Sequence, residues 1–391
     1  MRHTNYDFTI VIPSYWRDEK IKGKAVFDHP TELKEKGTLS RLLDSLTILD
    51  NLDGKIAIIP VPDNPKIYWS LKHKIDKILR PYKKKFDIFT FGKDELEKIK
   101  NKLKGEVSKD ALDLLNFKNY AGVRNICSLA GVMGGGKYTI FIDDDEVFTD
   151  PNFLNKIKEQ MGRNIADRKV KALAGYYLQP HTYRIDESKI PKWRKKFWNN
   201  AAAMNGAFDI LIKQGPRLKP TSFVFGGNMA VSREILLKIP FDPKITRGED
   251  IDFLINLKIN GLTFYLDREL YILHLPPASN QESWRKLRED AVRFLYERKK
   301  VRDHSDEIDL KELQPYPGMF LGDDLEERII KTSCFLMQEY MEKKDKRGVK
   351  ECKKIIALAK ENPYKQVDTR KWLKNLMSNW QKITSALETK I

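Results

Sequence analysis

Short apolar runs rich in β-branched and aromatic residues alternate with segments of helical periodicity through the first two thirds of the chain. These runs predict strands at 8–12, 55–61, 86–91, 138–142 and 171–177. Leucines at helical spacing predict a helix at 39–49, and a run of small residues predicts another at 121–132. Strands that alternate with helices form a largely parallel sheet with helices on its faces, so the pattern predicts an α/β sandwich.

After Pro277 the strand signals stop and amphipathic helical patterns take over. Segment 303–324, rich in acids and proline, predicts an irregular connector within this region. We therefore predict an α/β domain at 1–278 and a helical C-terminal domain at 279–391, with the boundary near Ala278. Apolar stripes at helical spacing predict three of its helices, through Trp284, Leu287, Ala291 and Phe294, through Ile330, Cys334, Met337 and Met341, and through Trp372, Leu376, Trp380, Ile383 and Leu387.

The composition fits a folded protein with a sizeable core. Hydrophobic residues make up 41% of the 391 residues. No apolar run reaches the roughly 18 to 20 residues that cross a bilayer, and residues 1–10 lack a secretory signal, so we expect a cytoplasmic protein. Three cysteines without metal-type spacing, Cys127, Cys334 and Cys352, are interpreted as reduced core thiols.

The chain is strongly basic, with a formal net charge of +17. This charge favours an anionic partner, which leaves nucleic acid, anionic lipid and small phosphorylated substrates open. Lysine is commoner than arginine and alternates with glutamate and isoleucine along the predicted helices, which is typical of proteins from thermophiles.

Four acids follow the strand predicted at 138–142. At the carboxyl end of a parallel strand they lie where α/β proteins bind ligands, and a divalent cation would neutralise their mutual repulsion. Alternate residues of an extended chain point the same way, so Asp143 and Asp145 can reach one ion while Asp144 faces elsewhere. The alternative is a cluster that caps the next helix or faces water.

The segment 131–137, Gly-Val-Met-Gly-Gly-Gly-Lys, matches the first part of a P-loop. A P-loop runs from strand to helix and places Ser or Thr after its lysine. Here a helix precedes the glycines, Tyr138 follows the lysine, and a strand comes next. The chain direction therefore argues against a nucleotide triphosphatase, and the glycines fit the end of the preceding helix.

Over residues 8–276 the chain resembles the family-2-like glycosyltransferases of GT-A fold. Three segments carry the first part of the resemblance: Val-Ile-Pro-Ser-Tyr at 11–15, Asn-Tyr-Ala-Gly-Val-Arg-Asn at 119–125, and Phe-Ile-Asp-Asp-Asp at 141–145, which resembles the DXD motif. Three more follow in the same order: the acceptor-side glycine turn at 226–230, Arg-Gly-Glu-Asp at 247–250, and Tyr-Ile-Leu-His at 271–274.

The resemblance implies a GT-A domain that uses a nucleotide-diphosphate sugar and a divalent metal, Mg²⁺ or Mn²⁺. The implied metal ligands are Asp143, Asp145 and His274, for which a buried, hydrogen-bonded histidine is the alternative at position 274. The residues implied around the nucleotide sugar are Pro13, Tyr15, Asp63, Arg124, Asp144 and Gly227. Asp63 is assigned to the nucleobase, and Arg124 either pairs with donor phosphate or holds the acidic strand end.

Asp250 is the candidate base. In an inverting transfer a carboxylate removes the proton of the acceptor hydroxyl on the face opposite the leaving diphosphate. Glu249 would hydrogen-bond the acceptor or orient this base. Gly248 before them permits close backbone approach, and the apolar residues that follow predict an anchoring helix. The alternative is a helix N-terminus enriched in acids.

Cations alternate with aromatic residues at 189–198, around Trp193 and Trp198. This mixture suits single-stranded nucleic acid, a peripheral membrane contact, or a lid that stacks on an acceptor sugar. We favour the acceptor, and a plain basic surface helix is the alternative.

We therefore predict a metal-dependent, inverting hexosyltransferase, with mannose from GDP-mannose as one candidate donor. The acceptor would be the hydroxyl of a polyol, a sugar or a phosphorylated solute. A retaining transferase, a surface-polysaccharide glycosyltransferase and a basic nucleic-acid-binding protein are the alternatives, although the ordered acidic motifs argue against nucleic acid as a partner. The C-terminal helices are candidates for homo-oligomer contacts.

Overall fold

A computed structural model of the chain describes residues 6–18, 20, 26–277 and 281–388, and its strands form one main sheet. In these residues the strands are β1 (Phe8–Arg17), β2 (Thr31–Glu32), β3 (Gly54–Pro62), β4 (Ile88–Thr90), β5 (Tyr138–Phe141), β6 (Glu146–Val147), β7 (Asn164–Ile165), β8 (Arg168–Lys169), β9 (Ala172–Leu178), β10 (Leu218–Pro220), β11 (Met229–Ser232) and β12 (Phe264–His274). All but the β7–β8 pair join one sheet, in the order β10-β12-β9-β11-β5-β1-β3-β4 with β2 and β6 at its sides.

Strand direction decides which loops meet at the edge of the sheet. Strands β5, β1, β3 and β4 are parallel neighbours. Strand β11 is antiparallel to both β5 and β9, so β9 runs in the direction of β5, and β12 is parallel to β9. The carboxyl ends of β1, β3, β5, β9 and β12 therefore lie along one edge, which is where α/β sheets bind ligands.

The helices cover both faces of this sheet. Among the described residues they are α1 (Leu39–Ser45), α2 (Tyr68–Leu79), α3 (Lys93–Leu103), α4 (Lys109–Leu112), α5 (Tyr120–Gly134), α6 (Phe153–Gln160), α7 (Lys192–Lys195), α8 (Asn200–Phe208), α9 (Arg233–Lys238), α10 (Glu249–Ile259), α11 (Ser283–Asp303), α12 (Leu325–Glu342), α13 (Lys346–Glu361) and α14 (Thr369–Glu388). The predicted α/β sandwich with a helical C-terminal region is confirmed.

Alternation along β1 divides the core into two layers. Ile10 and Ile12 pack on one face of the sheet with α1, α2 and α6, whereas Val11 packs on the other face with α5 and α10. The C-terminal helices belong to this second layer. Trp380 of α14, for example, is fully buried there and donates a hydrogen bond from Nε1 to the carbonyl of Leu236 at 2.7 Å.

A buried ion cluster joins the C-terminal helices to α10. Lys300 of α11 donates from Nζ to Asp252 (2.5 Å), Asn256 (3.0 Å) and Asp242 (3.1 Å). All four residues are fully buried. The boundary predicted at Ala278 lies outside the described residues. The cluster joins residues from before and after this boundary, and it fixes α11 against α10, the helix that begins at the Glu249-Asp250 pair.

Glu297, another buried acid, lies one turn before Lys300 and makes the free energy of unfolding depend on pH. Burial raises the pKa of Glu297 to about 7, although Arg293, whose Nε lies 2.8 Å from Glu297 Oε1, opposes the shift. A raised carboxyl pKa favours the folded state while the group is protonated. That stability is complete below pH of about 4.5, the unfolded value, and is lost as the pH rises through about 7.

We expect Glu297→Gln to reduce this pH dependence. Between pH 5 and 8 the melting temperature of the wild-type protein should fall more than that of the variant, by about 2 °C or more. Thermal unfolding of both proteins at constant ionic strength measures the difference. Parallel curves over this range would contradict the assignment.

The structure differs from several sequence-based expectations. Strand β1 extends to Arg17 because its pairing with β3 continues to Trp16 and β2 pairs with Trp16 and Arg17. The four-residue strand β11 and the two-residue β6 were not predicted, since so short a run has no measurable periodicity. Cys334 is exposed, so the expectation that it is a core thiol was wrong. Helix α12 exists as predicted but buries a different stripe.

The basic aromatic segment at 189–198 is explained by packing. Trp193 and Trp198 are buried, and Trp198 donates from Nε1 to Asp290 of α11 at 3.1 Å while its ring packs on Phe294. The interpretation of these tryptophans as an acceptor-stacking lid was therefore wrong. They anchor the segment to α11, and the lysines between them face solvent.

Candidate active site

The end of β5 meets the end of β12 at one corner of the sheet edge. Strand β6 pairs with β12, which places Asp145 beside His274 with 3.6 Å between Oδ2 and Nε2. The N–H of Leu275 donates to the Asp145 carbonyl at 3.0 Å. Arg41 Nη2 donates to the carbonyls of Asp145 (3.2 Å) and Leu275 (2.7 Å). The two predicted ligands are thus held together by backbone contacts. His274 is partly exposed, whereas Asp145 is only 9% exposed.

Asp143 has a different partner. Its two carboxylate oxygens accept hydrogen bonds from Nη1 and Nη2 of Arg124, at 2.9 and 3.0 Å. Nε of the same guanidinium donates to Glu249 at 3.1 Å. A Cβ on Gly226 would lie 2.6 Å from Arg124 Nη2, so the glycine turn lies directly against it. Arg124 therefore holds the acidic strand end, one of its two predicted roles, and links it to the Glu-Asp motif.

Asp144 has a partner on β1 and lies in a turn, closed by the hydrogen bond from the N–H of Glu146 to the Asp143 carbonyl at 3.2 Å, and not on the extended chain that the sequence predicted. Its Oδ2 accepts from Ser14 Oγ at 2.5 Å, and Ser14 in turn accepts from Trp16 Nε1 at 2.7 Å. Burial raises the pKa of Asp144 to about 8, and the charge of Asp145 adds to this shift. Asp144 is thus largely protonated near neutral pH. Its assignment to the nucleotide stays a prediction.

Glu146 is a site residue whose role the sequence did not indicate. It is fully buried, its Oε2 accepts from the N–H of Asp143 at 3.0 Å, and burial raises its pKa well above the ordinary value. A Cβ on Gly227 would lie 2.0 Å from Glu146 Oε1, so only glycine fits there. The sequence shows four successive acids, but which of them is buried depends on the packing around the strand end.

The charges that remain define where a cation fits. Burial raises the pKa of Asp144 and of Glu146 and so disfavours their charged forms. Arg124 pairs with Asp143, which leaves Asp145 beside His274 as the acid that can bind an ion. A carboxylate with an imidazole suits Mn-type ions. Within the described ranges no three His, Cys, Asp or Glu side chains converge as a metal cluster. A bound ion would therefore complete its shell with water and substrate oxygens, and a ligand role for Asp143 stays a prediction.

The glycine turn connects this corner to the candidate base. The N–H of Gly226 donates to Asp250 Oδ2 at 2.9 Å, and the N–H of Gly227 donates to the Tyr177 hydroxyl at 3.0 Å. The Tyr177 ring stacks on the His274 ring, with 4.4 Å between centroids. Tyr177 was predicted only as a strand residue. Two adjacent backbone amides therefore link the two parts of the site: one donates to Asp250, and the other donates to the tyrosine that stacks on His274.

The Glu-Asp motif begins α10, so both acids lie in its first turn. Asp250 is partly exposed, and its Oδ1 accepts from the N–H of Ile251 at 2.8 Å. Glu249 is buried. Burial and the charge of Asp250 raise the pKa of Glu249 to about 7, against the opposing effect of Arg124. Of the two acids, Asp250 is therefore the one that a substrate can reach, and Glu249 lies behind it.

Two of the predicted donor residues lie on β1. Pro13 pairs with Ile59 of β3. The Tyr15 ring packs against Phe27, with 4.5 Å between centroids, and against Tyr120 at 5.7 Å. The Tyr15 hydroxyl is buried and has no hydrogen-bond partner in the part of the chain that the structure describes.

Asp63, predicted to contact the nucleobase, engages the loop at 26–30. Its Oδ1 accepts from the N–H of Val26 at 2.5 Å. Burial raises the pKa of Asp63, although this hydrogen bond opposes the shift. Arg285 of α11 donates to the Val26 carbonyl at 3.0 Å. The loop is therefore held from both sides, and contact between Asp63 and a base stays a prediction.

His29, on the same loop, is a neighbour of Asp145 and His274 that the sequence did not indicate. Burial lowers its pKa, and the charges acting on it include Asp28, Asp145 and His274. Its Nδ1 is buried without a hydrogen-bond partner among the residues described. Loop residues that fold back over a strand end have no periodic signal in sequence.

Comparisons with known proteins leave the family open. No protein-family model matches the chain, and no curated protein is similar to it. The chain is similar to a solved structure of the mannosyltransferase PcManGT from Pyrobaculum calidifontis in complex with GDP-Man and Mn²⁺, at 12% identity and a TM-score of 0.47, over 98% of this chain and 87% of that one.

A second solved structure, described as a mycobacterial protein, has 13% identity and a TM-score of 0.42 over 78% of this chain and 77% of that one. With both TM-scores below 0.5, the chemistry of this chain has to be inferred from its own residues. Among the described residues, no helix combines the length and apolar character that a membrane crossing needs.

Proposed function

We propose that the chain is a metal-dependent, inverting glycosyltransferase that moves a hexose from a nucleotide-diphosphate sugar to an acceptor hydroxyl. One observation carries the proposal. The Asp145–His274 pair and the carboxylate of Asp250 flank a single glycine turn, whose adjacent amides contact Asp250 and the tyrosine stacked on His274. A cation-binding corner beside an oriented, accessible carboxylate is what displacement of a diphosphate by a hydroxyl requires.

Asp145 and His274 would hold the divalent ion. When bound, the ion would supply positive charge against the diphosphate leaving group. The carboxylate and imidazole donors fit Mn²⁺, and Mg²⁺ would bind with more water and substrate oxygens.

Asp250 would accept the proton of the acceptor hydroxyl. Hydrogen bonds from the amides of Gly226 and Ile251 fix both carboxylate oxygens in direction, and the side chain stays partly exposed. Glu249 would orient the base through its ion pair with Arg124, rather than contact the acceptor, because it is buried. Orientation of this kind lowers the barrier by holding the reacting groups in a near-attack arrangement.

The net charge of the chain agrees with these substrate classes. A net charge of +17 favours anionic substrates, which suits a nucleotide-diphosphate donor and an acceptor that carries a phosphate or carboxylate. GDP-mannose is the first donor to test. The acceptors to test are polyols, sugars and phosphorylated solutes.

Thermal unfolding with UDP-, GDP- and ADP-sugars, with and without Mn²⁺ or Mg²⁺, tests the donor. A ligand at 100 times its Kd stabilises the folded state by about 2.7 kcal/mol, so the matching donor should raise the melting temperature only when metal is present. If no nucleotide sugar shifts the transition under any metal condition, the proposal fails. Proton NMR coupling constants of the product then report whether the anomeric configuration is inverted or retained.

A further inference from the structure

Arg293 of α11 lies directly beneath the turn that precedes the Glu-Asp motif. It is only 5% exposed. A Cβ built on Gly248 would lie 2.2 Å from Arg293 Nη1 and 2.5 Å from its Cζ, so the guanidinium packs on the backbone of this turn without room for any side chain. Asp250 is among the acids whose charges act on Arg293.

The guanidinium is held by its own surroundings. Nε donates to Glu297 at 2.8 Å, and Nη1 lies 3.4 Å from the Tyr316 hydroxyl. The group also lies 4.8 Å from the ring centroid of Phe294. Nη2 is buried and makes no hydrogen bond within the described residues. An unsatisfied donor on a buried cation costs free energy, so packing alone is a poor reason for an arginine here.

The turn that Arg293 contacts has an unusual backbone. Gly248 adopts φ +75° and ψ 32°, in the left-handed region that favours glycine. The chain then enters α10, so this one residue sets the direction in which Glu249 and Asp250 leave the turn. A guanidinium fixed against its backbone leaves the turn no room to relax towards the usual right-handed conformation.

We propose that Arg293 is a positioning residue for the transfer reaction, which fixes the Gly248 turn and thereby the orientation of the base Asp250. The inference rests on the proposed function. It also gives the C-terminal region a role in the site, since α11 supplies the group that supports the motif. Arg293 itself contacts no substrate.

Three variants test this role. Arg293→Met removes the guanidinium, and Arg293→Lys keeps the charge without the planar fork. Arg298→Met is the matched control, because Arg298 lies on the same helix and is also 5% exposed. Its Nη1 donates to Glu326 Oε2 at 2.6 Å, and it does not contact the Gly248 turn. For each protein the assay measures kcat, the KM for the donor, nucleotide-sugar binding in the absence of acceptor, and the melting temperature.

We expect Arg293→Met to lower kcat by about 100-fold, the loss that a misplacement of about 1 Å can cause, with donor affinity unchanged. Arg293→Lys should recover part of this loss. Arg298→Met should lower the melting temperature but keep kcat within about threefold of the wild-type value, since it does not touch the motif.

A merely structural role makes a different prediction. If Arg293→Met and Arg298→Met lose stability alike and both keep wild-type kcat well below their melting temperatures, the inference is overturned. Should Arg293→Met fail to fold, Arg293→Lys decides: a fall in kcat at unchanged donor affinity supports the role, and wild-type kcat overturns it. A wild-type protein that transfers no sugar would overturn the proposed function itself, which is a separate result.

Discussion

Asp250→Asn should leave nucleotide-sugar binding intact and reduce sugar transfer by about 10³-fold, within the range that a general base contributes. Asparagine keeps the size of the side chain and one oxygen that can accept from the Gly226 or Ile251 amide, so the turn should persist. Its amide cannot take a proton from the acceptor. The loss should therefore appear in kcat rather than in donor affinity.

Steady-state kinetics and donor binding by calorimetry measure the two effects separately. Asp113→Asn, at the exposed C-terminal end of α4, controls for the chemical change itself. Near-normal turnover in Asp250→Asn would contradict the role as base. A parallel loss of donor affinity would instead place Asp250 on the donor side of the site.

Asp145→Ala or His274→Ala should abolish the metal dependence of donor binding. Oδ2 of Asp145 and Nε2 of His274 lie 3.6 Å apart at the strand ends, and each variant removes one of the proposed protein ligands. We expect affinity for the nucleotide sugar in Mn²⁺ to fall by about 100-fold or more. Removing a residue that only hydrogen-bonds to a metal ligand already lowers metal affinity by about 10- to 100-fold, and removing the ligand itself should cost at least as much. Titration of nucleotide sugar with Mn²⁺ and with EDTA measures it.

Asp143→Ala tests whether Asp143 is a metal ligand, as the sequence predicts, or only the ion-pair partner of Arg124, as its contacts indicate. If Asp143 is a ligand, this variant should match Asp145→Ala in losing metal-dependent binding. If Asp143 only pairs with Arg124, the metal dependence of binding should persist while kcat falls. Arg124 would then be held by Glu249 alone, and the link between the strand end and the Glu-Asp motif would be lost. If Asp145→Ala and His274→Ala bind nucleotide sugar in Mn²⁺ as tightly as the wild-type protein, and lose that affinity in EDTA as it does, the metal site is refuted.

Much of this site is accessible to sequence reasoning because its parts carry local signals. An apolar run that stops in acids predicts a strand end at the binding edge of a sheet, and Asp143 to Asp145 lie there. The glycine pair at 226–227 and the acids at 249–250 were also found as motifs, and both border the site. Of the four helices described in the C-terminal region, α11, α12 and α14 follow from their periodicity, although α12 buries a different stripe from the predicted one.

The protonation states could not be predicted. Four adjacent acids look like four charges, but burial raises the pKa of Asp144 to about 8 and also raises that of Glu146, and Arg124 pairs with Asp143. Desolvation depends on which helices cover a carboxyl, and no spacing in the chain encodes that. The same reason explains Trp198, whose burial against α11 could not be read from its basic neighbours.

Three features can be predicted from the order of residues alone: the alternation of strands and helices, the acidic end of β5, and the change to helices after Pro277. Each is a property of neighbouring residues along the chain. The contact of His274 with Asp145 and the packing of Arg293 against the Gly248 turn appear only in the folded chain. Those pairs come from distant segments, and they meet because strand direction and the packing of α11 bring them together. Periodicity fixes which face of an element is buried, whereas the partner on that face is decided by the whole fold.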